Sequence, residues 1–112
     1  MPLLKIKPKV QPSDKLVMIR PRKVAAEVFA KYGATMWLTS GMEGSSSHGD
    51  GTLHYAGYAE DYDGSRDFTK QEWQEIEVSV RLKLNDTRYQ VIAHDNHLHV
   101  EWQPLEFNQY LY

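Results

Sequence analysis

Histidine and carboxylate side chains, which bind divalent metals, are grouped in two short segments of this 112-residue chain. The segment TLHYAGYAEDYD places His54 and Asp61 on either side of Gly57. The segment HDNHLHVEW holds three of the five histidines. Because the chain has no cysteine, disulfides, thiolate zinc sites and a cysteine nucleophile are excluded. Any metal site must therefore use histidine, aspartate or glutamate.

The second segment alternates with the two-residue period of a β-strand. Its apolar residues point to one face, which we expect to be the core, and the polar residues His97, His99 and Glu101 point to the other. Two alternate histidines repel each other when both are charged, whereas a divalent metal binds the neutral imidazole. The pattern therefore favours a metal ligand on this strand.

A catalytic zinc site uses three protein ligands and leaves one position for water. His54, Asp61 and one histidine of the last strand can supply that set, and Gly57 lets the chain turn between the first two. The alternative is that His54 caps a loop and Asp61 belongs to a surface turn. The spacing by itself leaves both interpretations open.

Two helices are predicted to support these segments. The stretch RPRKVAAEVFAKYG has Pro21 in its first turn and Gly33 where it should end. The stretch FTKQEWQEIEVSVRLKLN begins with a capping box formed by Thr69 and Glu72, and Asn85 can end it.

Short strands are predicted at residues 35–39 and in the stretches RYQVIAHD and HLHVEWQP, and a short strand or turn at residues 58–63. Residues 41–53 have the glycine and serine content of a long loop, and long loops are often functional. The order of elements predicts an α+β fold, in which two helices cover a small antiparallel sheet.

Charge is unevenly distributed along the chain. Residues 1–23 hold seven Lys or Arg and one acidic residue, whereas the rest carries six basic and fourteen acidic residues. We expect a basic extended arm or edge strand at 1–20 and a domain at 21–112. An acidic domain argues against nucleic-acid binding. No apolar run suits membrane insertion and no signal peptide is recognised, so we expect synthesis in the cytoplasm.

The two polar segments together resemble a known family. LHYAGYAED resembles the H-x-x-G-x-A-x-D signature of the zinc D-Ala-D-Ala carboxypeptidase and L-Ala-D-Glu peptidase family, and NHLHVEW resembles its closing D-H-x-H-x-E motif. The stretch TSGMEGSSSHGDGTLHY is similar to the approach to the first ligand in phage-encoded members. The resemblance covers roughly residues 24–104, with motif order and spacing in agreement.

The resemblance implies a zinc ion held by His54, Asp61 and His99. It also implies the small α+β fold shared with the Hedgehog signalling domain, and a peptidoglycan stem peptide as substrate. Such an enzyme, of phage endolysin type, would act at the bacterial cell wall after release through a holin pore, or as a virion component. The basic arm is then a candidate contact for a virion partner. Substrate-binding candidates are Thr52, His48, Tyr55 and Arg66.

One position departs from the family pattern. The family has an acidic general base three residues before the last histidine ligand, where this chain has Asn96. A neutral amide can orient a water but cannot take its proton, and losing a general base costs a factor of about 10² to 10⁴ in rate. Either Asp95 or Glu101 replaces the base, or the domain is a zinc-binding pseudoenzyme, or Asn96 is an inactivating change. His97 is expected beside the metal, where it orients a ligand or stabilises the transition state, rather than as a fourth ligand, which would close the site.

These observations give two functional predictions. The first is a zinc metallopeptidase that hydrolyses peptidoglycan stems or cross-links. The second is a non-catalytic module of the same fold that binds zinc for stability, binds the cell wall or forms part of a virus particle.

Overall fold

The computed structural model describes residues 4–43 and 57–103. The helices are α1 (Ile19–Lys31) and α2 (Lys70–Leu84), and a short 3₁₀ turn (Leu16–Met18) leads into α1. The strands are β1 (Leu4–Ile6), β2 (Met36–Ser40), β3 (Ala59–Gly64), β4 (Tyr89–Ala93) and β5 (Leu98–Trp102). Within these residues no helix is long and apolar enough to cross a membrane.

The predicted α+β class is correct, but the sheet is mixed rather than purely antiparallel. Its five strands have the order β1-β2-β3-β5-β4, and β1 pairs with β2 in parallel. The chain passes from β1 through α1 to β2, and a helical crossover of this kind returns a strand in the same direction. The sequence favoured an extended arm or edge strand in this segment, but strand alternation does not show which strand such a segment pairs with or in which direction.

The ends of α2 are formed by the predicted residues. The Thr69 hydroxyl accepts a hydrogen bond from the Glu72 amide at 3.1 Å, and the Glu72 carboxylate accepts one from the Thr69 amide at 3.0 Å. Asn85 ends the helix in the left-handed region at φ 47°. Glycine at position 33, with φ 72°, follows the end of α1. Local capping chemistry therefore sets the helix boundaries.

Both helices cover one face of the sheet. The core comprises residues of both helices and alternate residues of the strands, including Phe29, Trp73, Leu98 and Val100. The side chains of Leu98 and Val100 are fully buried, as predicted, whereas His99 between them is only partly buried. The alternation directs Asp61 of β3 and His99 of β5 to the opposite face of the sheet.

A buried ion pair joins α1 to the sheet. Glu60 on β3 is fully buried and accepts hydrogen bonds from Arg22 at 2.6 and 2.9 Å. It also accepts from the Ser13 amide at 2.8 Å and from the Tyr62 hydroxyl at 2.9 Å. Burial and the adjacent Glu60 carboxylate raise the pKa of Tyr62 well above its usual value. Four donors satisfy this carboxylate, which holds β3 against α1 and residue 13.

Candidate metal centre

The register between β3 and β5 brings two of the predicted ligands together. Asp61 pairs directly with His99 across the two antiparallel strands. The Oδ1 atom of Asp61 lies 2.8 Å from Nδ1 of His99. Asp61 is 8% exposed, so this carboxylate lies in a largely dehydrated position. The two residues are 38 positions apart in sequence and meet only because the strands pair in this register.

A second carboxylate contacts the other side of the same imidazole. Glu101 Oε1 lies 2.7 Å from His99 Nε2. Burial by itself would lower the pKa of His99, but the hydrogen bonds to Asp61 and Glu101 outweigh it and raise the pKa. A histidine whose two ring nitrogens are both engaged by carboxylates has a fixed ring orientation, as metal-ligating histidines usually do.

His97 lies beside this pair on the same face. Its Nε2 atom is 3.9 Å from Asp61 Oδ1, and its Nδ1 atom is 2.7 Å from the Asn96 side-chain oxygen. The His94 ring stacks on the His97 ring, with centroids 4.6 Å apart. Burial lowers the pKa of His97, which favours its neutral form. Asn96, where the resemblance predicts an acidic general base, thus contacts the histidine that follows it.

A polar cleft of about 270 Å³ opens next to these groups. We call it the open-face cleft, and it is lined by Lys7, Thr39, Ser40, Glu43, Asp61, Asp63, Asn96 and His97. The sequence did not single out Lys7 or Asp63 as site residues. Both lie on the same face as Asp61 by strand alternation, but that signal can be used only when the strand order is known.

Two other predicted residues lie elsewhere. Asp95 lines a separate cavity of about 150 Å³, beside Trp73 and Lys70 at the start of α2. Arg66 pairs with Glu72 at 2.7 Å and donates to backbone carbonyl groups, and it does not line the open-face cleft. Glu101 is therefore the predicted base candidate that contacts His99.

The remaining predicted residues, His54, Thr52, His48 and Tyr55, lie outside the described residues. Among the described residues, Met42 before them and Gly57 after them form hydrogen bonds with the segment that precedes α1. The Gln11 carbonyl accepts from the Met42 amide at 2.7 Å, and the Ser13 hydroxyl donates to the Gly57 carbonyl. A Cβ atom at Gly41 would lie 2.1 Å from the Gln11 carbonyl oxygen, so only glycine fits there.

The donor set is compatible with zinc as far as it is described. Aspartate oxygen and histidine nitrogen are zinc ligands with bonds of about 2.0–2.2 Å, so one ion can reach two donor atoms that lie about a hydrogen bond apart. Across residues 4–43 and 57–103, no three His, Asp or Glu side chains are grouped to hold an ion. The predicted third ligand, His54, lies outside those ranges.

The chain was compared with family models, with curated proteins and with solved structures, and nothing matches it. The family resemblance therefore depends on the two motifs and on their order in the chain.

Proposed function

We propose that this protein is a zinc-dependent peptidase that hydrolyses peptide bonds in the stems or cross-links of bacterial peptidoglycan, and that it is derived from a phage. The observation that carries the proposal is the 2.8 Å contact between Asp61 and His99. These residues occupy ligand positions in two separate motifs, and they meet on the open face of the sheet beside a polar cleft. A contact between unrelated polar residues is not expected to join one ligand position from each of the two motifs.

In this proposal His54, Asp61 and His99 hold the zinc ion. When bound, zinc polarises the scissile carbonyl and makes a water more acidic. Glu101 keeps the His99 ring in one orientation and one tautomer, since it contacts the ring nitrogen that faces away from Asp61. Burial lowers the pKa of His97, and its Nδ1–H is directed to the Asn96 oxygen, so in the neutral form Nε2 is placed to accept a hydrogen bond from a substrate in the cleft.

The proton from the attacking water needs an acceptor, which Asn96 cannot provide. Of the two predicted replacements for the base, Glu101 contacts His99, whereas Asp95 lines a different cavity. We propose Glu101 as the acceptor in a working enzyme. It must then exchange its contact with His99 for one with the water.

A second candidate function is a zinc-binding module without catalysis. Asn96 favours it, because its side-chain oxygen is already engaged by His97 and an amide has no affinity for a proton at neutral pH. The module would share the metal site and the cleft but would lack hydrolysis.

The first experiment measures zinc content and the clearing of permeabilised bacterial cells, with digestion products identified by mass spectrometry. We expect one zinc per chain, clearing that a chelator abolishes, and loss of both zinc and clearing in His54→Ala. Lys23→Met, an exposed change on α1, is the control and should clear normally. Clearing that survives both chelation and His54→Ala would exclude the zinc mechanism.

The second experiment separates the two candidates. Asn96→Asp restores an acid at the family's base position, so a disabled enzyme should gain roughly 10²- to 10⁴-fold in hydrolysis. Asn96→Ala is the control, since it removes the amide without adding an acid. Absence of hydrolysis in all three forms, with zinc still bound, favours the module.

A further inference from the structure

Lys7 provides a positive charge to the open-face cleft. It lies next to β1, the edge strand that β2 and β3 separate from β5. It follows β1, and its backbone amide donates to the Leu38 carbonyl at 3.1 Å, which continues the pairing with β2. Among the described residues that line the cleft, it is the one Lys or Arg, and the other ionisable groups are three carboxylates and His97.

Each carboxylate of the cleft already has a partner. Asp61 contacts His99 at 2.8 Å, and Asp63 accepts from the Gly64 amide at 2.7 Å. Glu43 accepts from the amides of Gln11 and Gly41 and from the Ser40 hydroxyl, at 3.1, 2.8 and 2.9 Å. Each of these three carboxylates is therefore engaged by a group of the protein itself.

Two hydrogen-bond donors that line the cleft have fewer partners than these carboxylates. Within the described part of the chain, the Lys7 ammonium has neither an ion pair nor a hydrogen bond. Asn96, on the opposite wall, uses its oxygen toward His97 and retains its NH₂ group as a donor. Two donors on facing walls, one of them charged, suit an anionic oxygen group such as a carboxylate.

The backbone that carries Lys7 is anchored on both sides. Before it, β1 pairs with β2 from Leu4 to Ile6. After it, Val10 donates to the Lys7 carbonyl at 3.1 Å, and Ser13 is tied to the buried Glu60. The base of the side chain is therefore fixed, and only its flexible stem must be ordered when a ligand binds.

We propose that Lys7 binds a carboxylate of the peptide substrate, so that the site selects peptides with a free carboxylate next to the bond to be cleaved. The statement that the carboxylate lies next to the cleaved bond rests on the proposed peptidase function. Binding of the carboxylate by Lys7 does not require hydrolysis. The carboxylate is either the C-terminal group of the peptide or the side chain of an acidic residue.

The test measures dissociation constants by NMR titration of the zinc-loaded full chain with three peptides. Acetyl-D-Ala-D-Ala carries a C-terminal carboxylate, its amide carries none, and acetyl-Ala-D-Glu diamide carries only a side-chain carboxylate. Lys7→Met should weaken binding of at least one carboxylate peptide by about tenfold, as expected for a lost charge-assisted contact, and leave the amide unchanged. Lys7→Arg should retain most of the affinity.

Lys9→Met is the matched control, since Lys9 lies two residues further along the same segment and does not line the cleft. Thermal unfolding of each variant confirms that it is folded. Equal affinity of Lys7→Met and the unchanged protein for both carboxylate peptides would overturn the inference, even if hydrolysis is observed. Binding that depends on Lys7 without any hydrolysis would support the inference and count against the peptidase.

Discussion

Asp61 on β3 and His99 on β5 are opposed across two antiparallel strands, with Oδ1 and Nδ1 2.8 Å apart. Because side chains alternate between the two faces of a strand, a shift of one residue in this register would move His99 to the helix-covered face. The buried Leu98 and Val100 on either side prevent that shift, since it would bring both of them out of the core. The apolar residues of β5 therefore hold the polar residue between them in place.

Glu101→Gln should weaken zinc binding. The carboxylate contacts the His99 ring at 2.7 Å, and loss of such an outer partner typically reduces metal affinity by about 10- to 100-fold. The measurement is competition with a chromophoric chelator at fixed pH. Glu27→Gln, an exposed change on α1, should bind zinc like the unchanged protein. Unaltered affinity in Glu101→Gln would remove Glu101 from the metal site.

Arg22→Met should destabilise the protein by about 3–5 kcal/mol, because it leaves the buried Glu60 carboxylate without its cation. Urea unfolding followed by circular dichroism measures this change. The double change Arg22→Met with Glu60→Met should recover part of the loss, since no buried charge remains. Lys23→Met, next to Arg22 and exposed, should alter stability by no more than about 0.5 kcal/mol. A loss below about 1 kcal/mol in Arg22→Met would contradict the role of the ion pair.

Glu72 should make the stability depend on pH in acid. The hydrogen bond from Arg66, and then that from the Thr69 amide, lower the pKa of Glu72 to about 2. Because the folded protein has the lower pKa, this contribution is fully present above the usual pKa of 4.5 and is lost as the pH falls toward about 2.

The measurement compares free energies of unfolding for the unchanged protein and Glu72→Gln from pH 7 to pH 2. Glu72→Gln should be less stable at pH 7 by an amount that shrinks below about pH 4.5. A difference that stays constant down to pH 2 would show that the Glu72 carboxylate titrates normally. Glu27→Gln is the control for removing an exposed carboxylate from a helix.

Gly41→Ala and Gly33→Ala should destabilise the protein for different reasons. At Gly33 no atom lies within 4 Å of the added Cβ, so the cost is the left-handed backbone, at about 1 kcal/mol. At Gly41 the Cβ would lie 2.1 Å from the Gln11 carbonyl oxygen, so the backbone near residue 11 must move.

Differential scanning calorimetry should therefore find the larger loss in Gly41→Ala. Zinc affinity provides a second readout. It should fall in Gly41→Ala, which disturbs the backbone beside the cleft, and remain unchanged in Gly33→Ala. Equal behaviour of the two variants in both measurements would show that the contact between residues 11 and 41 does not support the site.

The sequence by itself determined the helices, their ends and the two faces of the last strand. Thr69, Glu72 and Asn85 specify the ends of α2 through contacts within a few residues, and the alternation from His97 to Glu101 separates polar from apolar side chains. These features depend only on near neighbours along the chain, which a single sequence displays.

Only the tertiary structure decided which strands are neighbours. The parallel pairing of β1 with β2 brings Lys7 to the cleft, and the antiparallel pairing of β3 with β5 brings Asp61 to His99. Likewise, the position of Arg66 away from the cleft follows from its pairing with Glu72. Strand pairing is decided by the packing of distant segments on a shared core, so the periods and caps of separate segments do not specify it.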